Sequence, residues 1–197
     1  MQVRSEETRT RILQSALKRF SEAGFDATGV AEICGAAGVS KGAFYHHFPT
    51  KQAVFLQLLE DWLRQLDADL VDALSGAPNV LEGLRGMAVR TRGVFAAADG
   101  QLSILLEFWG QARKDPVVWE RAIAPFRRYR DVFADIVRRG IAEGSLRPVD
   151  PDKAAQALMS LAVGMVLQGV LDPEGASWDR VIQDTIGLLV EGIGREQ

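Results

Sequence analysis

Thr28-Gly-Val-Ala-Glu-Ile-Cys-Gly-Ala-Ala-Gly-Val-Ser-Lys-Gly-Ala-Phe-Tyr-His-His-Phe-Pro-Thr-Lys51 is the stretch on which the reading of this 197-residue chain turns. Val30, Ile33 and Ala37 keep a helical period, so the first half is a short helix with one buried face. Gly38 suits the left-handed conformation that turns the chain, and Ser40 then caps a second helix. In that second helix Phe44 and Phe48 are four apart and point inward, which leaves Lys41, Tyr45, His46 and His47 outside. Two short helices about a tight turn make a helix-turn-helix, whose second helix enters the DNA major groove. The outward residues are, by chemistry, partners for phosphates and base edges. The stretch predicts a DNA-reading head.

A family resemblance rests on the same residues. Thr10-Arg11-Ile12-Leu13, Phe20, Gly24-Phe25, Thr28, Glu32-Ile33, Ala36-Ala37-Gly38-Val39-Ser40-Lys41-Gly42, Tyr45-His46-His47-Phe48 and Lys51 resemble the TetR family of bacterial one-component regulators. The likeness runs from Arg9 to Lys51; the rest of the chain is similar only in length and helical character. It implies an all-helical homodimer, usually a repressor, released from a palindromic operator when a small molecule binds the larger domain. Two positions depart from the pattern. Gly29 stands where the family usually has Ser or Thr, whose hydroxyl would complete a capping box with Glu32. Glycine there costs only a few tenths of a kcal/mol, but a hydroxyl–phosphate contact is lost. Cys34 replaces a commoner alanine and reads as a small core filler rather than a redox sensor.

Charge looks wrong for a DNA binder until it is divided. The chain carries a net −3, yet residues 1–51 hold Arg4, Arg9, Arg11, Lys18, Arg19, Lys41 and Lys51 against five acids, a balance of +2. The remainder is at −5. A basic head on an acidic body orients the molecule on a polyanion, although a difference of this size is also ordinary scatter. A single cysteine excludes a disulfide framework and makes a reducing compartment the default. No signal-peptide pattern opens the sequence, and no uninterrupted apolar run reaches the ~20 residues that span a bilayer. The expectation is a soluble cytoplasmic protein with no membrane role.

Caps and periodicity predict an all-α chain of about nine helices, with a head at 1–48 and a helical ligand-binding and dimerisation domain at 49–197. The first helix runs from about Ser5 to Ala23 and closes at Gly24. The second and third follow Gly29 and Ser40, and Thr50 caps a fourth from Lys51 to about Leu74. A fifth runs from about Val80 to Ala97 and a sixth from Gln101 to about Lys114. Asp115-Pro116 and Asp150-Pro151 each place a cap before a helix-opening proline. They start a seventh helix to about Glu143 and an eighth to about Val170. Ser177 caps a ninth toward Gly194.

The expected DNA contacts follow position by position. Lys41 and Gly42 open the recognition helix, where free amides and the positive dipole end meet phosphate and a bare glycine permits close approach. Ala43 offers a methyl to thymine. Tyr45, His46 and His47 carry donors for phosphate oxygens, Lys51 adds charge, and Ser40, Thr28 and the amide of Val30 complete the set that the resemblance implies. Arg4, Arg9 and Arg11 extend it along the N-terminal arm. Adjacent histidines on a helix point about 100° apart, and with one cysteine in the chain a zinc site is a weak alternative. No metal or cofactor is expected.

The larger domain is rich in bulky aromatics. Trp62, Phe95, Leu105, Phe108, Trp109, Tyr129 and Phe133 are candidate linings of an effector pocket, although aromatics at helical spacing are more often plain core. Glu107 sits among apolar neighbours and meets either a cationic ligand or an arginine such as Arg113 or Arg130. The eighth and ninth helices are candidate dimer elements. Ala155, Leu158, Met159, Ala162, Val163, Val166, Leu167 and Val170 surround more of one helix than a single core face needs, and Ile182, Ile186, Leu189 and Ile193 stripe the other. Two heads in an isologous dimer would sit about one DNA turn apart, roughly 34–36 Å, on an inverted repeat. The fourth helix, joining head to body, is the expected lever by which a small hydrophobic or amphipathic effector changes head spacing.

An enzyme is disfavoured, since neither a nucleophile elbow, a dinucleotide fingerprint nor a phosphate loop is present. An activator, or a DNA-binding protein that needs no ligand, stays open as the alternative to a repressor.

Overall fold

Capping chemistry sets most helix bounds. The computed structural model describes residues 2–87, 101–172 and 174–194. It places α1 at Gln2–Ala23, α2 at Val30–Ala37, α3 at Lys41–His47 and α4 at Lys51–Ser75. α5 is described over helical residues 80–87, and the rest of its predicted span, to Ala97, lies outside the described residues. Then follow α6 at Gln101–Ala112, α7 at Pro116–Glu143, α8 at Pro151–Leu171 and α9 at Trp178–Ile193. Among the described residues there is no strand, only one isolated bridge between Leu146 and Gly194. The protein is all-α.

The amide of Ala53 donates to Thr50 Oγ1 at 3.0 Å, and those of Val117 and Val118 donate to Asp115 Oδ1 at 2.9 and 3.3 Å. Asp150 Oδ1 likewise receives the amides of Asp152 and Lys153. Each bond satisfies an amide that the first helical turn leaves without a partner. Ser177 differs from expectation: its side chain makes no cap bond, and its carbonyl alone receives Arg180 and Val181. α1 also begins earlier than the predicted Ser5, and α7 runs through Pro125.

The chain forms two units, one of Met1–Arg64 with Gly100–Ala122 and one of Gln65–Asp99 with Ile123–Gln197. The first is built on aromatics. Phe25 meets Phe20 at 5.1 Å and meets Phe55 and Phe108 edge-on at 5.6 and 5.4 Å, while Phe55 stacks on Phe108 at 4.0 Å. Offset and edge geometry suits the ring quadrupoles and adds about 0.5–1.5 kcal/mol per pair beyond burial. Ile12, Ala16, Ile33 and Phe44 complete the buried face of α1 to α3.

The second unit has an aliphatic core of Leu70, Val80, Leu84, Val137, Leu146, Met165, Ile186 and Val190. α7 approaches the chain around Leu146 so closely that a Cβ on Gly140 would lie 2.6 Å from that side chain. The turn between α8 and α9 is tied by Trp178, whose indole Nε1 donates to the Asp172 carbonyl at 2.8 Å. No helix among the described residues is long and apolar enough to cross a membrane.

Candidate DNA interface

The turn of the helix-turn-helix is a complete C-cap. Gly38 takes φ 64°, ψ 40°, its amide donates to Gly35 O, and the Val39 amide donates to Cys34 O at 3.0 Å. These are the two bonds of a Schellman motif, which ends α2 and reverses the chain. Ser40 then adopts extended geometry and its Oγ receives the Ala43 amide at 3.1 Å. At the other end of α2, the Gly29 amide donates to Glu32 Oε2 at 2.7 Å. Half of the capping box therefore survives the loss of a hydroxyl at position 29.

Burial of Phe44 and Phe48 fixes the roll of α3, each fully buried ring contributing about 1.5–3 kcal/mol. Tyr45 consequently stands 54 % exposed, and Lys41, Gly42 and His46 are exposed beside it. Ala43 and His47 are half-buried. A Cβ on Gly42 would meet nothing nearer than Ser40 Oγ at 3.7 Å, so nothing inside the protein requires a glycine there. The guanidinium of Arg9 lies 5.5 Å from the Phe48 ring centre, and that of Arg11 lies near Gly38. Burial pushes the Cys34 thiol up, with Lys41 partly opposing, which keeps it a thiol in the core.

Two predicted DNA contacts turn inward. Thr28 is 1 % exposed, and its single hydroxyl proton is shared between the carbonyls of Gly24 and Arg19, at 2.8 and 3.1 Å from Oγ1. Lys51 is half-buried, with Nζ donating to the carbonyls of Phe25, Thr28 and Asp26 at 2.6, 2.9 and 3.3 Å. Desolvation lowers its pKa, opposed by Asp26, Glu107 and Glu32. With three protons on three carbonyls, the ammonium holds the α1–α2 loop rather than reaching out to phosphate. Val30 begins α2, where the first amides of the helix have no intrahelical acceptor.

The predicted effector residues fall in both units. Trp62, Glu107, Phe108 and Trp109 belong to the first unit, and Tyr129 and Phe133 to the second. Phe108 is fully buried in the aromatic core. Glu107 takes up backbone amides of its own unit: Oε2 accepts the Phe25 amide at 2.8 Å and Oε1 the Asp26 amide at 2.9 Å. Tyr129 lies 6.5 Å from Phe133 and donates its hydroxyl to Asp67 Oδ1 at 2.7 Å, while Arg128 forks onto the same carboxylate at 2.9 and 3.1 Å. Phe95 lies outside the described residues, as do the side chains of Leu105, Val166, Val170 and Ile182. The pairing of Glu107 and Lys51 with the loop was missed from sequence, because no local pattern points across 81 and 82 residues for Glu107 or 23 to 26 for Lys51.

A capped turn with a polar, exposed second helix defines a helix-turn-helix DNA-binding protein. Residues 12–58 match the bacterial regulatory proteins of the tetR family, and residues 92–186 match the C-terminal part of BetI-type transcriptional repressors. The chain belongs to the TetR family. The transcriptional repressor KstR2 of Mycolicibacterium smegmatis is 29% identical over 142 residues, 71% of this chain and 68% of that one. The transcriptional regulator UidR of Escherichia coli is 27% identical over 168 residues, 84% and 83% of the two chains. The solved ketosteroid transcriptional regulator KstR2 of Mycobacterium tuberculosis superposes with a TM-score of 0.70 at 26% identity, covering 95% of each chain. The protein is a DNA-binding transcriptional regulator and not an enzyme.

Proposed function

We propose that this regulator is a cytoplasmic homodimeric repressor that occupies an inverted-repeat operator and leaves it when a small hydrophobic or amphipathic effector binds. Residues 1–48 read DNA, and residues 49–197 bind effector and form the dimer. The observation that carries the reading is the outer face of α3, where Lys41, Gly42, Tyr45 and His46 are exposed over a buried Phe44. Ser40, Ala43 and His47 flank that face. An open glycine at the helix start leaves room for a phosphate against the backbone. Val30 adds its amide at the front of α2.

Trp62 and Trp109 in the first unit and Tyr129 with Phe133 in the second are the effector candidates that retain a part; an apolar effector agrees with the ketosteroid regulator among the relatives. The dimer uses α8 and α9, where Leu171 and Leu188 stand 74 % and 72 % exposed. Apolar side chains exposed on both helices support that reading.

Selection of binding sites from random duplex DNA tests the reading, with wild type, Lys41→Ala and Tyr45→Ala at one stated salt concentration. An enriched inverted repeat that both variants lose is the expected result. Protection of long tracts without sequence preference would replace it with a DNA-coating role.

A further inference from the structure

We propose that Glu107 on α6 and Lys51 on α4 form a two-sided latch on the α1–α2 loop, through which α6 positions the recognition helix. The proposal rests on the DNA-reading function above and adds a route by which that function is regulated.

Loop polarity carries the argument. Gly24 has φ +85°, and the two amides that follow it, Phe25 and Asp26, converge on the two oxygens of the Glu107 carboxylate at 2.8 and 2.9 Å. Successive amides after a left-handed residue form a concavity that suits an anion, and here the anion is a side chain from another helix. A Cβ on Gly24 would lie 2.9 and 3.2 Å from those oxygens, so glycine is required both by the backbone and by the seated carboxylate. Gln111, one turn further along α6, hydrogen-bonds the Asp26 carboxylate. The carbonyls of the same loop face the other way and are taken by Lys51.

The loop therefore has its amides on α6 and its carbonyls on α4, and Thr28 ties it back to α1. Its last residue, Gly29, is the N-cap of α2. Shifting the loop moves the start of α2, and the Schellman turn at Gly38 passes that movement to α3. α6 lies within residues 92–186, the stretch that matches the repressor C-terminal part, yet it packs in the same unit as the head. Glu107 is a positioning residue: it acts on DNA through the loop and does not touch it.

The substitution Glu107→Gln keeps the volume but turns an NH2 toward one of two amide donors, which opens the latch. Amide hydrogen exchange by mass spectrometry is measured on the full chain, free and saturated with a selected operator duplex. In the free protein, peptides containing Phe25 and Asp26 should exchange at least about tenfold faster in E107Q than in wild type. Operator binding should slow exchange in residues 101–112 of wild type, because coupling between two sites is reciprocal, and should leave α6 of E107Q at its free rate. A merely structural role would lower the melting temperature and keep the operator-induced protection of α6; that result, or unchanged exchange at Phe25 and Asp26, overturns the latch. Failure of wild type to bind any selected duplex would count against the DNA-reading function instead, and the free-protein comparison would still decide the latch. If E107Q does not fold, Gln111→Ala carries the same comparisons with smaller differences.

Discussion

The ammonium of Lys51 lies 2.6 Å from the carbonyl oxygen of Phe25 and 4.4 Å from the centre of the same residue's ring. One charge thus serves a backbone acceptor and an aromatic face together. Lys51→Met should lower stability by about 1–3 kcal/mol in urea denaturation, since loop carbonyls lose their donor. The salt dependence of operator affinity should stay as in wild type. A fall of about one in the log–log slope would show that the ammonium reaches a phosphate after all.

Lys41 gives the opposite expectation. Its side chain is exposed at the start of α3 and is not part of the core. Lys41→Ala should leave the melting temperature within a degree or two, because surface changes cost about 0.5 kcal/mol or less. Affinity should weaken alike for all sequences, and the salt slope should drop by about one, as titrations at several salt concentrations would report.

Removing the Ser40 hydroxyl deprives the Ala43 amide of its acceptor. Ser40→Ala should cost about 0.5–2 kcal/mol, and Ser40→Asn should recover most of it, because asparagine caps equally well. Denaturation midpoints of the two variants make the comparison. Equal losses in both would assign the effect to something other than the cap.

Tyr129 links stability to alkaline pH. Burial, then the hydrogen bond to Asp67 and its negative charge, raise the phenol well above its ordinary value of 10.0, with Arg128 opposing. The folded state therefore keeps the proton after the unfolded chain has lost it. The stabilisation is fully present below about pH 10 and declines as pH rises beyond that. Tyr129→Phe should be less stable than wild type by about 1–2 kcal/mol at pH 7, with the gap closing above pH 10. Phenolate absorbance in wild type, compared with the variant, should show Tyr129 ionising together with unfolding.

Leu171 and Leu188 test the interface. Both are largely exposed, so a charge at either costs the isolated chain little. Leu188→Glu in α9 should convert a dimer into a monomer in sedimentation velocity and weaken binding to a two-half-site operator at least about tenfold, through loss of linked half-sites. A variant that sediments and binds like wild type would move the interface away from this face.

Local features were legible because local chemistry fixes them. Gly38, Ser40, Thr50, Asp115 and Asp150 each act within a few residues of themselves, and each performs in the fold the cap its sequence context predicts. The i, i+4 pair Phe44 and Phe48 likewise announces which face of α3 is inward. Ser177 broke the rule, since its carbonyl suffices to start α9 without the hydroxyl. The aromatics read less well. Phe108 and Phe55 stack as core, and a sequence cannot tell a ring packed on another ring from one lining a cavity.

By itself, then, the sequence determined the all-helical architecture, the capped starts of α3, α4, α7 and α8, the helix-turn-helix and the outward face of α3, because these depend on hydrogen bonds and spacings within one or two turns. The tertiary structure decided where Thr28, Lys51 and Glu107 spend their polar atoms. A lysine ammonium satisfies a phosphate or three carbonyls by the same chemistry, and a carboxylate satisfies a ligand, an arginine or two amides. Which partner it takes depends on what lies within about 3 Å. For Lys51 that partner comes from 23 to 26 residues away, and for Glu107 from 81 and 82. Only the packing of α4 and α6 against the loop brings them there.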